Sequence, residues 1–126
     1  MKKEVISTSN APGALGPYSQ GIKVGEFVFV SGQIPINPKD NSIPKTIREQ
    51  TKQSLENIKA ILSEAGLDFS NIVKTTIFLT DLNDFNDVNE VYGTYFDGDY
   101  PARCCLEVSK LPKDVSIEIE VMAIEK

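Results

Sequence analysis

The chain has 126 residues, which is enough for one domain with a buried core that needs no disulfide bonds. Hydrophobic residues make up 40% of it and charged residues 25%, as in an ordinary globular protein. The net charge of −5 argues against nucleic acid as a main partner, because phosphate binding needs clustered basic side chains. The absence of histidine excludes the commonest general base, a His-paired nucleophile and a His-based metal site.

The composition also bears on where the protein works. The segment from Met1 to Ile6 does not have the apolar core of a signal peptide, and no apolar run approaches the roughly 20 residues that cross a bilayer. Cys104 and Cys105 are neighbours that would point to opposite faces of a strand, so a disulfide between them would be strained. Free thiols fit a reducing compartment, and we therefore expect a cytoplasmic protein with no membrane partner.

The first third of the chain predicts three short strands. A strand at residues 4–7 precedes a loop rich in Gly, Pro, Ser and Asn that runs to Gly21. Residues 22–24 and 27–31 predict a hairpin with a two-residue turn at 25–26.

A long helix follows. Thr46 and Glu49 have capping-box spacing, and Gly66 is a natural C-terminal cap. Between them an apolar stripe recurs at helical spacing, with charged residues on the other face. The stripe consists of Ile47, Thr51, Leu55, Ile58, Ile61, Leu62 and Ala65.

The second half predicts three more strands and one more helix. Residues 72–80 form a strand with many β-branched residues, and Asn83 is placed to cap the second helix. The segment 97–101 breaks that helix, and strands at 102–108 and 115–124 complete the chain. The apolar stripe of the second helix is Phe85, Val88, Val91, Tyr92, Tyr95 and Phe96.

The predicted order is β-β-β-α-β-α-β-β, an α+β fold in a single domain over residues 1–126. Helices that alternate with strands should lie on one face of one sheet, so the other face needs cover. Apolar residues such as Val24, Phe29, Val121 and Ala123 would otherwise contact water. A homo-oligomer that packs its sheets together would bury them.

Arg103 and Glu118 are charged residues within apolar strands, where such groups are usually paired or functional. Alternation places Arg103 and Cys105 on one face of their strand, and Glu118 on the same side of the last strand as Glu120. A simple hairpin of the two strands would set Cys105 opposite Glu118 and Arg103 opposite Glu120. Arg103 can then be a bidentate carboxylate clamp or a strand-end ion pair with Glu120. Glu118 can be a proton handler or a solvated outward residue.

Five further residues carry chemistry only in combination. Tyr18 lies in the Gly/Pro-rich loop and can be a packing anchor, while Ser31 and Gly32 end a strand and fit turn chemistry. Asn89 lies one helical turn from Phe85 and fits an ordinary helix-surface residue, and Cys105 has the character of a small core residue. Without a base to activate its thiol, Cys105 is disfavoured as a covalent nucleophile.

Together these residues resemble the RidA (YjgF) family of reactive-intermediate deaminases, over essentially the whole chain. The most specific motifs are Pro101-Ala-Arg103 and Leu111-Pro-Lys-Asp114 with Ile117-Glu-Ile119. The other motifs are Gly16-Pro-Tyr-Ser-Gln-Gly21, Ser31-Gly-Gln-Ile-Pro35, Gln53-Ser-Leu-Glu-Asn57, Val73-Lys-Thr-Thr76 and Asp81-Leu-Asn-Asp-Phe85.

The resemblance implies a fold like that of the bacterial chorismate mutase, with a six-stranded mixed sheet and two helices on one face. It implies a homotrimer whose three sheets form a central β-barrel with the helices outside. It also replaces the hairpin, because the last strand of this family inserts between the third and fourth strands. Arg103 and Glu118 would then meet across a cleft between subunits.

The implied activity is hydrolysis of 2-imino or 2-enamino acids, such as 2-iminobutanoate and 2-iminopropanoate, to 2-oxo acids and ammonia, without a cofactor or metal. These intermediates are released by pyridoxal-phosphate dehydratases. The resemblance assigns Arg103 to the substrate carboxylate and Glu118 to orienting a water and moving its proton. It assigns the lining of the pocket to Tyr18, Ser31, Gly32, Asn89 and Cys105.

Two departures and two other functions accompany the resemblance. Cys104 stands where Ser or Thr is commoner in the family, and the segment before Pro101 is a few residues shorter than in some relatives. A trimer that binds small carboxylates or a partner protein without turnover is an alternative function. Ribonuclease activity is reported for relatives, but the acidic charge and the missing histidine argue against it here.

Overall fold

A computed structural model describes residues 1–126. Six strands and two α-helices occur in the order β-β-β-α-β-α-β-β that the sequence predicts. The strands are β1 (Lys3–Ile6), β2 (Gly21–Val24), β3 (Phe27–Gln33), β4 (Ile72–Leu79), β5 (Ala102–Glu107) and β6 (Ile117–Ile124). The helices are α1 (Ile47–Glu64) and α2 (Phe85–Gly93), and short 3₁₀ turns span Phe69–Asn71, Leu82–Asp84 and Pro112–Asp114.

All six strands form one mixed sheet in the order β1-β2-β3-β6-β4-β5. Strand β6 runs antiparallel to both β3 and β4, and β5 pairs only with β4, in parallel. The simple β5–β6 hairpin is therefore wrong, while the insertion of the last strand between the third and fourth is confirmed. The hairpin fails because α2 carries the chain across the helix-covered face, so that β5 enters at the edge beside β4.

Helix α1 begins and ends where its sequence indicates. The Thr46 side chain accepts a hydrogen bond of 3.1 Å from the backbone N–H of Glu49. After the last turn Gly66 has a φ of +76°, which glycine adopts without steric cost, and Leu67 N–H donates back to Leu62 O at 2.9 Å. Both ends thus satisfy backbone groups that a helix terminus leaves unpaired.

The start of α2 differs from the prediction. Asp81, not Asn83, supplies the capping side chain, and it accepts from the backbone N–H of Asn83 at 2.9 Å. That bond opens the 3₁₀ turn Leu82–Asp84, and α2 continues directly from it. The helix ends at Gly93, so Tyr95 and Phe96 pack against the core from the segment beyond it.

Both helices cover one face of the sheet, and the core lies between them. Val121 and Ala123 are buried in this core, so the expectation that they need cover from another subunit is wrong. Phe29 does lie on the opposite face, because its register partner is Met122 rather than Val121. No helix combines the length and the apolar character that crossing a membrane requires.

Strand β3 extends two residues beyond its predicted end. Val30 pairs with Val121 and Gln33 with Ile119, so three steps along β3 match two steps along β6. The extra residue forms a β-bulge between Val30 and Gln33, and β3 pairs with β6 again at Gln33. Gly32 lies in this bulge, directly against the Glu118 side chain.

Candidate functional site

Arg103 lies on β5 with its side chain on the helix-covered face. Its register partner on β4 is Thr75, which is completely buried under α2. Arg103 Nη1 donates to Asn89 Oδ1 at 2.8 Å, and this is the one hydrogen bond that the guanidinium makes. Asn89 is therefore placed against Arg103, as a neutral partner.

The ion-pair interpretation of Arg103 is not supported by the fold. Glu120 pairs with Thr76, the neighbour of Thr75, and so points to the opposite face of the sheet. Arg103 takes part in no salt bridge within the chain. A half-buried guanidinium without an acidic partner keeps its charge available for an anionic ligand.

Two aromatic rings of α2 also contact Arg103. The guanidinium carbon lies 5.5 Å from the ring centre of Phe85 and 5.2 Å from that of Tyr92. Sequence reasoning assigned both rings to an apolar stripe and missed this contact. The available signal was spacing, because Phe85, Asn89 and Tyr92 stand at positions i, i+4 and i+7 of one helix face.

Cys105 lies two residues along β5 on the same face as Arg103, opposite Ile77. Burial raises the pKa of its thiol, and the nearby charge of Arg103 opposes that rise only in part. A thiol that stays protonated is a weak nucleophile. Cys105 is thus placed to form part of the wall beside Arg103 and is poorly suited to covalent chemistry.

Glu118 lies on the other face of the sheet, in a cavity of about 340 Å³. Tyr18 and Gly32 line the same cavity, together with Ile34 and Pro112. The walls come from the Gly/Pro-rich loop, the end of β3 and the turn before β6. Three of the predicted site residues therefore meet in one place within the chain.

Gly32 is the close neighbour that lets the Glu118 carboxylate reach this position. A β-carbon added at Gly32 would lie 2.1 Å from Glu118 Oε2 and 2.9 Å from Cδ. No real side chain tolerates such distances, so the Glu118 carboxylate can occupy this position only beside a glycine. The missing side chain of Gly32 thus leaves room for the carboxylate.

Ser31 precedes Gly32 but faces a different group. Its hydroxyl donates to the backbone carbonyl of Ser19 at 2.5 Å, and its own N–H donates to Gln20 O at 2.9 Å. Ser31 therefore ties the end of β3 to the loop that carries Tyr18. Because the Ser31 hydroxyl already donates its hydrogen to Ser19 O, that hydrogen is not free for a ligand in this arrangement.

Buried amides hold the walls of the Glu118 cavity in place. Asn57 of α1 donates to Ile34 O at 3.2 Å and to Ile36 O at 3.0 Å. Gln50 accepts from the N–H of Ser116 at 2.9 Å, two residues before Glu118. The sequence alone did not suggest a role for either amide. A polar residue on the buried face of α1 could have indicated one, because buried polar groups are normally hydrogen-bonded.

Burial raises the pKa of Glu118 above its ordinary value of 4.5, and the negative charge of Glu120 adds to the rise. A carboxyl group with a raised pKa exchanges protons more readily near neutral pH, which suits general acid–base work. No acidic or basic side chain pairs with Glu118 in the chain.

The raised pKa predicts how Glu118→Gln changes stability with pH. The folded chain keeps a proton on Glu118 at pH values where the unfolded chain has lost it. The contribution of Glu118 to the free energy of unfolding therefore declines as pH rises above 4.5 through the raised pKa. Relative to wild type, Glu118→Gln should therefore gain unfolding free energy between pH 4 and pH 8, as measured by urea denaturation. A Glu118→Gln variant that loses relative stability over this range would contradict the assignment.

Arg103 and Glu118 do not meet within one chain. Arg103 shares a face with Thr75, whereas Glu118 is paired with Phe78 on the other face, and β4 separates the two strands. The chain thus presents two half-sites. One contains Arg103, Asn89 and Cys105, and the other contains Glu118, Gly32 and Tyr18.

Comparisons with known proteins match the whole chain. The family model described as endoribonuclease L-PSP (Ribonuc_L-PSP) matches residues 8–125. A RutC family protein of Pyrococcus abyssi is 58% identical over 127 residues, covering 100% of both chains. The 2-iminobutanoate/2-iminopropanoate deaminase of Escherichia coli K12 is 50% identical over 126 residues, covering 98% of both.

Solved structures agree with the fold described above. The crystal structure of Escherichia coli TdcF with bound serine has a TM-score of 0.95 at 50% identity, covering 98% of this chain and 99% of that one. The crystal structure of the Escherichia coli YjgF gene product has a TM-score of 0.95 at 49% identity, with coverages of 98% and 99%. The chain therefore belongs to the endoribonuclease L-PSP family, the RidA (YjgF) family that its motifs resemble.

Proposed function

We propose that this protein is a deaminase that hydrolyses 2-imino and 2-enamino acids, such as 2-iminobutanoate and 2-iminopropanoate, to 2-oxo acids and ammonia. The observation that carries the proposal is the half-buried Arg103 guanidinium, whose hydrogen-bond partner is a neutral amide. Such a group is suited to the carboxylate that every substrate of this class has. The 50% identity to the Escherichia coli deaminase over nearly the full chain supports the same activity.

The chemistry follows from the two half-sites. Arg103 binds the substrate carboxylate and places the electrophilic imine carbon. Glu118 accepts a proton from a water as the water oxygen bonds to the carbon of the protonated imine, which gives a neutral carbinolamine. Glu118 then returns that proton to nitrogen and takes the hydroxyl proton as the C–N bond breaks and the C=O bond forms, so that ammonia leaves with the 2-oxo acid. Atoms balance with water as the sole co-reactant, so the step requires no redox cofactor.

The pairing of the half-sites requires a second copy of the chain, and we propose the homotrimer with a central β-barrel. The sheet face away from the helices exposes several large apolar side chains, and uncovered apolar groups of this kind favour self-association. It includes Val5, Phe27, Phe29 and Leu106, each at least 37% exposed in the single chain. Closing this face with neighbouring copies would let Arg103 of one subunit approach Glu118 of the next.

Phe29→Lys tests the trimer. Phe29 is 42% exposed on the open face, so a charge there should cost little in the monomer but should be strongly unfavourable in a buried barrel. We expect a monomer by sedimentation velocity, with turnover lost because the half-sites separate. Leu82→Lys is the matched control, since Leu82 is 43% exposed but lies outside the sheet. A trimeric Phe29→Lys variant would contradict the proposed packing.

The decisive experiment supplies the substrate in situ. A threonine dehydratase generates the imine, semicarbazide traps what remains, and the rates of 2-oxobutanoate and ammonia formation are measured with and without this protein. Faster product formation and less trapped imine support the deaminase. Binding of 2-oxobutanoate without faster ammonia release would favour the non-catalytic binding module. The free thiols of Cys104 and Cys105 fit the expected cytoplasmic location of such a reaction.

A further inference from the structure

The Arg103 guanidinium is held by one face of α2. Phe85, Asn89 and Tyr92 occur one or two turns apart on that face, and all three contact it. Asn89 takes one N–H group, while the two rings lie within about 6 Å, the range of a cation–π contact. A guanidinium has five N–H groups, so four remain after the bond to Asn89.

The Tyr92 ring is itself fixed from the other end. Its hydroxyl donates to Thr75 Oγ1 at 3.0 Å, and both groups are buried. Thr75 is the register partner of Arg103 on the adjacent strand. These contacts link three elements. Arg103 on β5 and Thr75 on β4 are neighbours in the sheet, and the Tyr92 side chain of α2 touches both.

A long arginine side chain is otherwise flexible, and holding it in one rotamer before the ligand arrives lowers the entropic cost of binding. Aromatic faces suit this purpose, because they attract the guanidinium without occupying its N–H groups. An acidic residue in their place would neutralise the charge that a carboxylate ligand needs.

We propose that Phe85 and Tyr92 are positioning residues, which hold the Arg103 guanidinium so that its free N–H groups meet a substrate carboxylate. The inference rests on the proposed function, since it takes Arg103 to be the carboxylate clamp. Tyr92 acts with its hydroxyl anchored on Thr75, and Phe85 acts from the exposed edge of the half-site. Neither ring takes part in the chemistry of the imine carbon.

Phe85→Leu is the main test, because Phe85 is over one-third exposed and its loss should leave the fold intact. We expect the KM for the imine and the Kd for 2-oxobutanoate to rise about three- to tenfold, with kcat changed by less than about twofold. Tyr92→Leu should act in the same direction, and Tyr92→Phe should recover most of the loss because the ring is retained. Phe96→Leu is the matched control, since Phe96 packs 4.9 Å from the Tyr92 ring but not against Arg103.

The Arg103→Ala background separates this inference from the proposed function. If the rings act through Arg103, adding Phe85→Leu to Arg103→Ala should change neither Kd nor KM further. An undiminished effect of Phe85→Leu in that background would overturn the positioning role, as would an unchanged Kd in both Phe85→Leu and Tyr92→Leu. If Arg103→Ala alone leaves binding and turnover intact, the clamp itself fails. If Tyr92→Leu does not fold, Phe85→Leu alone and combined with Arg103→Ala still test the positioning role.

Discussion

Replacing Arg103 with alanine should reduce imine hydrolysis by about 30-fold or more while leaving the chain folded. Truncating one partner of a desolvated, hydrogen-bonded charge pair costs about 2–5 kcal/mol, and 1.4 kcal/mol corresponds to a factor of ten. The fold should survive because Arg103 has no acidic partner that would be left unpaired. Asn89 loses one hydrogen bond and can be reached by water. The measurement is kcat/KM in the coupled dehydratase assay, with circular dichroism and sedimentation as checks of folding.

Two variants make the Arg103 result specific. Arg103→Lys keeps the positive charge but not the planar fork, so it should recover part of the activity at most. Arg48→Ala removes an arginine that bridges Asp87 and Glu90 on the surface and should leave turnover unchanged. Wild-type activity in Arg103→Ala would end the clamp assignment. Equal losses in Arg48→Ala and Arg103→Ala would point to general damage rather than to the site.

Gly32→Ala should lower kcat by about 100-fold or more with little loss of stability. The added methyl group would occupy the position of the Glu118 carboxylate, with 2.1 Å between it and Oε2. The atom that must move is the end of a flexible side chain, so Glu118 can swing away at small cost to the fold. Catalysis would then lose a positioned acid–base group, which contributes roughly 10²–10⁴-fold.

Comparison with another glycine separates this effect from any general effect of a methyl group. Gly93→Ala adds the same group at the end of α2. Beyond the chain neighbours of Gly93 and the backbone of α2, the nearest atom to the added group is Tyr100 Oη, at 4.0 Å. It should leave kcat unchanged. Glu118→Gln should resemble Gly32→Ala, because both variants remove the same carboxylate from the reaction. Full activity in Gly32→Ala together with a large loss in Glu118→Gln would show that Glu118 works from another position.

The elements of the fold were largely predictable because their signals are local. The stripe of α1, the caps at Thr46 and Gly66 and the 25–26 turn depend on residues a few positions apart. Local signals were weaker for α2, where Asp81 competes with Asn83 as a cap. Strand ends shifted by one or two residues for the same reason: pairing with a neighbouring strand, not the strand's own sequence, decides where a strand stops.

Strand order was not predictable from alternation alone. Alternation placed Glu118 and Glu120 on one side of their strand but could not say which neighbours that strand would have. A hairpin with β5 was the shortest connection, yet β6 lies between β3 and β4. The family resemblance supplied the correct order, because the position of a strand in a sheet depends on contacts between residues far apart in the chain.

By itself, the sequence determined the class of fold, the order of its elements and the residue types available for catalysis. It singled out Arg103 and Glu118 as candidates for a carboxylate clamp and an acid–base group in a chain without histidine, since residue type and spacing are properties of the chain alone. Only the tertiary structure decided how these groups are placed. It set Arg103 under α2 with Phe85, Asn89 and Tyr92, and it set Glu118 on the opposite face beside Gly32. The reason is that β4 lies between β5 and β6, so which face and which neighbour a side chain has depends on long-range strand pairing.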